Sequence, residues 1–283
     1  MGKIREIHTD TITQVVRNLC IEACCELGDD VAELMKQALK KETYPLARNI
    51  LEQLIKNIEL AKKQHIPICQ DTGMAVVFLD IGQDIHITGG NIYDAINKGV
   101  RQGYTEGYLR KSVVESPICR VNTKDNTPAI IHTSIVPGNR ITINVAPKGF
   151  GSENKSRLKM LNPSDGVQGI KDFVLETVTL AGGGPCPPGI IGIGIGGTME
   201  NAAYMAKKAL LRPAGRHNSD ENIAKLEKEL LSAINSTGIG PQGLGGNTTA
   251  LAVHIDTFAT HIAGLPVAVN MQCHAARHKQ SIL

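Results

Sequence analysis

The sequence predicts a mixed fold, between α/β and α+β, held as a single domain over residues 1–283. Two observations carry this expectation. Residues 1–65 place apolar side chains at helical spacing almost without interruption. From Ile66 onward, Pro and Gly break the chain into short apolar runs that alternate with further helical segments. No internal repeat and no composition shift of the kind that marks a linker divides it.

In the helical third, Ile12, Val15, Val16, Leu19, Ala23 and Leu27 share a face of "TDTITQVVRNLCIEACCEL". Asp29 or Asp30 offers an N-cap to a second helix, whose apolar face is Val31, Leu34, Met35, Ala38 and Leu39. Pro45 suits the first turn of a third helix, carrying Ile50, Leu51, Leu54, Ile58 and Ala61. A loop then leads into a strand over Ala75–Ile81, and "NIYDAINKGVRQGYTEGYLR" reads as a helix with an irregular, Gly-containing end. "AIIHTSIVPGNRITINVA" reads as a hairpin turned at Pro137-Gly138-Asn139. "GFGSENKSRLKMLNPSDG" reads as a long polar loop, a feature that compact domains usually keep for function. Helices are expected over Gly166–Leu180 and through "MENAAYMAKKALL" and "DENIAKLEKELLSAINS", with strands in "GIIGIGI", Ala250–Ile255 and Leu265–Met271.

Composition narrows the function classes. Apolar residues make up 42% of the 283, enough for a sizeable core. The net charge of +3 is dispersed, Trp is absent and aromatics are 3%, which argues against nucleic acid as a partner. The N-terminal "MGKIREIHTD" has no apolar secretory core, and no apolar run is long enough to cross a bilayer. The expectation is a cytoplasmic protein whose seven cysteines are reduced.

Those cysteines fall into two groups. Cys20, Cys24 and Cys25 lie in the first helix and read as small core hydrophobes, and Cys119 has no chemically distinctive neighbours. Cys69 in "PICQDTG", Cys186 in "GPCPPG" and Cys273 in "MQCHAARH" instead sit at loop–strand junctions among Pro, Gly and polar residues. Three rigidly presented thiolates suit zinc or an iron–sulfur cluster, although no local C-x-x-C pair is present. In a cubane cluster, three cysteines leave one iron without a thiolate, suited to Lewis-acid hydration or dehydration.

Helper residues lie nearby in sequence. Asp71 reads either as a base or as the turn residue of "QDTG", and His261 as a structural donor or a catalyst. Arg110, Lys148, Lys155 and Arg157 are candidate carboxylate partners, and His274, Arg277 and His278 read as an exposed or interfacial terminus. Gly192, Gly194 and Gly197 match G-x-G-x-x-G between a strand and a helix, which raises an NAD-binding oxidoreductase. The acidic residue that should follow on a second strand is missing, so close helix–strand packing is the preferred account of these glycines. A non-catalytic scaffold binding through its Gly-rich C-terminal region is the other alternative.

Taken together, "PICQDTG", "GSENKS", "GGGPCPPG", "RPAGRHN", "GIGPQGLGGNTTALAVHI" and "THIAGLPVAVNMQCHAARHK" resemble the alpha subunit of two-subunit class I fumarate hydratases along essentially the whole chain. The L-tartrate dehydratase alpha subunit belongs to the same superfamily, and "GSENKS" and the "THIAGLPVAVNMQCH" region follow the fumarase form. The resemblance implies a 4Fe-4S cluster on Cys69, Cys186 and Cys273, and reversible hydration of fumarate to (S)-malate, a reaction of the tricarboxylic acid cycle; an iron open to solvent and substrate would also make the enzyme oxygen-sensitive. It implies Gln70, Arg110 and Gly151 as substrate-binding residues and Asp71 and His261 as catalytic ones. Single-chain members continue into a further domain that this chain lacks, so a separate beta subunit and an α2β2 assembly are expected. L-tartrate and mesaconate remain alternative substrates.

Overall fold

A computed structural model describes residues 4–283. In chain order the elements are β1 (Arg5–His8), α1 (Thr9–Cys25), α2 (Asp29–Lys41), α3 (Pro45–Gln64), β2 (Met74–Gly82), β3 (Ile85–Thr88), α4 (Ile92–Glu106), β4 (Ile130–Val136) and β5 (Ile141–Lys148). They continue with α5 (Phe150–Glu153), β6 (Arg157–Leu161), α6 (Gly166–Ala181), β7 (Gly189–Gly197), α7 (Met199–Ala209), α8 (Glu221–Asn235), β8 (Ala250–Thr260), β9 (Leu265–Gln272) and β10 (Lys279–Ile282). The mixed helix and strand content is the class that the sequence predicts. Contacts gather into two compact units, each stitched from separate stretches: Met1–Gly28, Ile58–Phe150 and Arg277–Leu283 in the first, Asp29–Asn57 and Gly151–Ala276 in the second. A boundary crossed repeatedly leaves no single linker for composition to reveal.

In the first unit, α1 and α4 cover a four-stranded sheet of order β10-β5-β2-β4. The core joins Ile12, Val16 and Cys20 of α1 to Ile96, Val100 and Tyr104 of α4 and to Val77, Leu79, Ile143 and Val145 of the sheet. One expectation fails here: β4 and β5 do not form a hairpin. β2 lies between them, parallel to β4 and antiparallel to β5. The physical reason is burial. β2 carries the continuous apolar run Ala75–Leu79, all buried, and needs a partner on both edges. The Pro137-Gly138-Asn139 turn then spans the end of β2, where the Gly82 N–H donates to the Arg140 carbonyl at 2.8 Å.

The second unit is built on a sheet of order β6-β9-β7-β8. Ile191, Ile193 and Ile195 of β7 point into a core completed by Phe173, Val174 and Val178 of α6 and Leu230 and Ile234 of α8. The alternate residues face α7. A Cβ on Gly192 would lie 2.0 Å from the Ala206 carbonyl oxygen, and one on Gly194 2.1 Å from that of Ala202. The G-x-G lies inside a strand and lets a helix backbone press against it. The polar segment after Gly149 also contains more than a loop: Arg157–Leu161 pairs with β9 as β6.

β8 has a strand neighbour on one side only, and side chains cap its free edge. Fully buried Glu227 accepts from the Ile255 N–H at 2.8 Å, the Asn218 N–H at 3.0 Å and Arg212 Nη1 at 2.5 Å. Arg212 Nη2 and Asn218 Nδ2 both donate to the Ile255 carbonyl at 2.8 Å. Much of "RPAGRHN" is thus edge protection.

Behind this network, His254 is 1% exposed, and Nδ1 donates to the Ala209 carbonyl at 3.1 Å. Burial, then the nearby Arg212 charge, push its pKa from 6.5 down to about 4; the carboxylates of Glu227 and Asp256 oppose the shift. The folded state therefore stays neutral where the unfolded chain takes up a proton. Stability is fully present above pH 6.5 and is lost as pH falls toward 4, by about 3 kcal/mol. Urea midpoints at pH 7.5 and 5 should fall less for His254→Asn than for the parent protein; equal falls would rule His254 out as the source.

Candidate active site

The sequence-derived candidates divide between the units. Cys69, Gln70, Asp71 and Arg110 lie in the first, and Gly151, Cys186, His261 and Cys273 in the second.

In the first unit, Cys69–Gly73 forms the turn between α3 and β2. It has no regular structure, so its backbone groups need other partners. The carbonyls of residues 71–73 find them in buried side chains. Arg277 Nη1 donates to Asp71 O. The Tyr104 hydroxyl lies 2.9 Å from Thr72 O and 3.1 Å from Gly73 O, and Asn126 Nδ2 donates to Gly73 O at 3.1 Å. Tyr104 and Asn126 are 0% exposed. Burial holds the Tyr104 hydroxyl well above its usual pKa, so it remains a donor.

The same turn fixes the candidate polar groups. Asp71 Oδ1 accepts from the Gly73 N–H and Oδ2 from the Phe150 N–H, both at 3.0 Å. The turn role foreseen for Asp71 is therefore present, and the carboxylate is anchored at both oxygens. Thr72, buried behind it, ties Arg110 to the turn. Its hydroxyl accepts from the Arg110 N–H at 2.9 Å and donates to the Arg110 carbonyl at 3.3 Å. Arg110 and Gln70 are exposed, Asp71 and Cys69 half-buried.

In the second unit, Cys186 precedes β7 and Cys273 follows β9, so antiparallel pairing brings both to the same end of neighbouring strands. The His274 N–H donates to the Cys186 carbonyl at 3.1 Å. Gln242, in "GIGPQGL", holds the loop from another side: its N–H and its Nε2 both donate to the Pro187 carbonyl, at 2.7 and 2.9 Å. Cys186 itself is exposed, at φ 53°, between buried Pro185 and Pro187. Gly151 belongs with this loop, since a Cβ there would lie 3.7 Å from the Gly184 carbonyl oxygen. "GSENKS" anchors β9: Glu153 accepts from Asn270 Nδ2 at 3.1 Å, and Ser156 Oγ from the Met271 N–H at 3.1 Å.

His261 stands apart from these residues. It is exposed in the turn between β8 and β9, and β9 runs from that turn to Cys273. Eight strand residues separate the two by roughly 25 Å.

The cysteines differ in kind. Cys20, Cys24 and Cys25 are buried, and burial raises all three pKa values, Cys24 to about 12. They are core thiols, as the helix pattern implies. Cys69, Cys186 and Cys273 are in no disulfide and are solvent-accessible in irregular backbone. In accessibility and donor chemistry they fit a thiolate-bound cluster. Within neither unit, among the described residues, do three His, Cys, Asp or Glu side chains converge as a metal site.

Sequence reasoning missed the supporting residues Tyr104, Asn126, Gln242 and Arg277. It also placed Arg277 at an exposed or interfacial terminus, whereas Arg277 is 2% exposed within this chain. Tyr104 and Asn126 look like ordinary core and loop residues in sequence; their partners are 31 to 53 positions away.

Known proteins bear directly on these motifs. The family model described as Fumarate hydratase (Fumerase) matches residues 13–282. A protein of Methanocaldococcus jannaschii, provisionally named L(+)-tartrate dehydratase subunit alpha, is 47% identical over 94% of this chain and 95% of its own length. The L(+)-tartrate dehydratase subunit alpha of Escherichia coli strain UTI89 is 33% identical over 94% of this chain and 88% of its own. With the match spanning both units and every motif above, the chain belongs to the Fumerase family of hydro-lyases.

Proposed function

We propose that this chain is the alpha subunit of a 4Fe-4S-dependent hydro-lyase that interconverts fumarate and (S)-malate. The observation that carries the reading is the turn at Cys69–Gly73, which places a half-buried thiol and an anchored carboxylate two residues apart and ties Arg110 to them through Thr72. A cluster on Cys69, Cys186 and Cys273 would supply Lewis acidity at the iron lacking a protein thiolate.

The protein groups supply the rest. Arg110 has a fixed backbone and an exposed guanidinium, whose planar fork suits a substrate carboxylate. Gln70 offers an amide beside it, and Gly151 a side-chain-free backbone beside the Cys186 loop. Asp71 is assigned proton transfer at C3. Its oxygens are held by the Gly73 and Phe150 N–H groups, so little reorganisation precedes transfer. His261, a strand's length from Cys273, serves as the second proton-transfer group only if a second copy presents it. That fits an α2β2 assembly with a beta subunit, in line with the alpha-subunit names of the relatives. We place the chain in the cytoplasm, where the cysteines a cluster needs stay reduced; no helix among the described residues is long and apolar enough to cross a membrane.

The names of the relatives favour a second reading, dehydration of L-tartrate. One experiment separates the two. The chain is co-expressed with its beta subunit, reconstituted without oxygen and assayed on (S)-malate, L-tartrate and methylmalate. A kcat/KM for (S)-malate about tenfold or more above the others is expected. The reverse order with tartrate first assigns the second reading, and no turnover of any of the three removes the hydro-lyase assignment.

A further inference from the structure

We propose that Arg277 is a positioning residue for Asp71, holding the carboxylate in its reactive orientation from the buried side of the turn. The inference deepens the hydro-lyase reading and rests on it for its activity readout.

A guanidinium carries five donors and a permanent charge, so burying one is costly unless acceptors are built around it. Arg277 is nonetheless among the largest fully buried side chains of the protein. Its Nη1 donates to the backbone carbonyl of Asp71, the residue assigned proton transfer. Its other terminal nitrogen lies against Gly149. A Cβ built on Gly149 would sit 3.0 Å from Arg277 Nη2 and 3.2 Å from Asp71 Oδ2, so the guanidinium and the carboxylate share one face of that glycine. All three oxygens of Asp71 are therefore held: its carbonyl by Arg277, its Oδ1 by Gly73 and its Oδ2 by Phe150.

The other buried donors do not duplicate this hold. Tyr104 and Asn126 reach the carbonyls of Thr72 and Gly73. Only Arg277 among the side-chain bonds described for the turn acts on Asp71's own carbonyl, and so fixes the backbone from which the carboxylate projects. A lysine would place a charge there as a single point, without the planar fork that reaches the Asp71 carbonyl and the Gly149 face together.

The test uses the full chain assembled with its beta subunit and loaded without oxygen. Arg277→Met, Arg277→Lys and Gly149→Ala are compared with the parent for iron and sulfide content, kcat and KM, and hydrogen exchange resolved by peptide. Gly149→Ala covers the case in which Arg277→Met does not fold, because it crowds the same two groups and leaves the buried charge in place. Full cluster content is expected in each folded variant. In Arg277→Met, kcat should fall roughly 100-fold with KM within about threefold, the size of loss that small misplacement of a reacting group produces. Exchange should quicken in the peptide covering residues 70–74 and not in α1 or β7. Arg277→Lys should recover part of kcat.

Parent-like kcat in every folded variant would overturn the proposal, as would losses that track missing iron or exchange that quickens throughout the protein. Failure of the hydro-lyase reading shows differently: the parent itself would turn over none of the three acids. The exchange result at residues 70–74 then still decides whether Arg277 holds the turn.

Discussion

Cys69→Ser, Cys186→Ser and Cys273→Ser should each reduce hydro-lyase activity to background and lose iron and sulfide, while Cys119→Ser should retain both. The expectation follows from the environments of the thiols. A serine oxygen is a poorer, harder ligand for iron than a thiolate. None of the three sites is a packed core position where the exchange would act through stability: Cys186 is exposed, and Cys69 and Cys273 are half-buried. Cys119 is also exposed, so it controls for loss of a surface thiol alone. The measurement is iron, sulfide and visible absorbance after anaerobic reconstitution, followed by turnover of (S)-malate and L-tartrate. Full cluster content in all three variants, with loss in Cys119→Ser, would move the ligand set elsewhere.

Asp71→Asn should retain the cluster and lower kcat by about 10²–10⁴-fold, the range for removing a general acid–base group. The two amides are the reason to choose Asn. The carboxylate accepts from the Gly73 and Phe150 N–H groups, and the isosteric amide keeps the shape while retaining one of the two acceptors. Folding should therefore survive at a cost of about 1–3 kcal/mol for the donor left facing an NH₂ group. Steady-state kinetics on either acid, with thermal unfolding alongside, checks both parts. Turnover within about threefold of the parent would reassign the C3 proton to a group outside this chain.

Much of this fold can be read from local pattern. α1, α2, α3, α6 and α8 follow from apolar residues at helical spacing, and Asp220 caps α8 as its side chain suggests, accepting from the Asn222 N–H at 2.8 Å. Non-local pairing is where local pattern runs out. β4 and β5 have a turn signal between them, yet the best partner for both is the apolar β2, whose paired residues lie about 54 positions before β4 and about 60 to 74 before β5. β6 stayed hidden in a polar segment because it is an edge strand whose partner, β9, supplies the apolar face. At the site, Cys69, Cys186 and Cys273 stand out by their Pro and Gly neighbours. Their supporting shell does not, because Arg277, Tyr104 and Asn126 gain meaning only from carbonyls that irregular backbone leaves without ladder partners.

The way the first unit is stitched together bears on how the protein is made. Its central strand pair, β2 with β5, is available once about half the chain has been synthesised, but β10 pairs with β5 from Lys279 to Ile282. Arg277, which holds the Asp71 turn, is delivered on the same stretch. The ribosome must therefore have passed residue 282 and let that stretch clear its exit tunnel before the first unit can close. Until then the β5 edge and the Cys69 turn wait, unfinished, on a nascent chain. Insertion of the proposed cluster, where it depends on an ordered turn, would accordingly wait until residues 277–282 have left the tunnel.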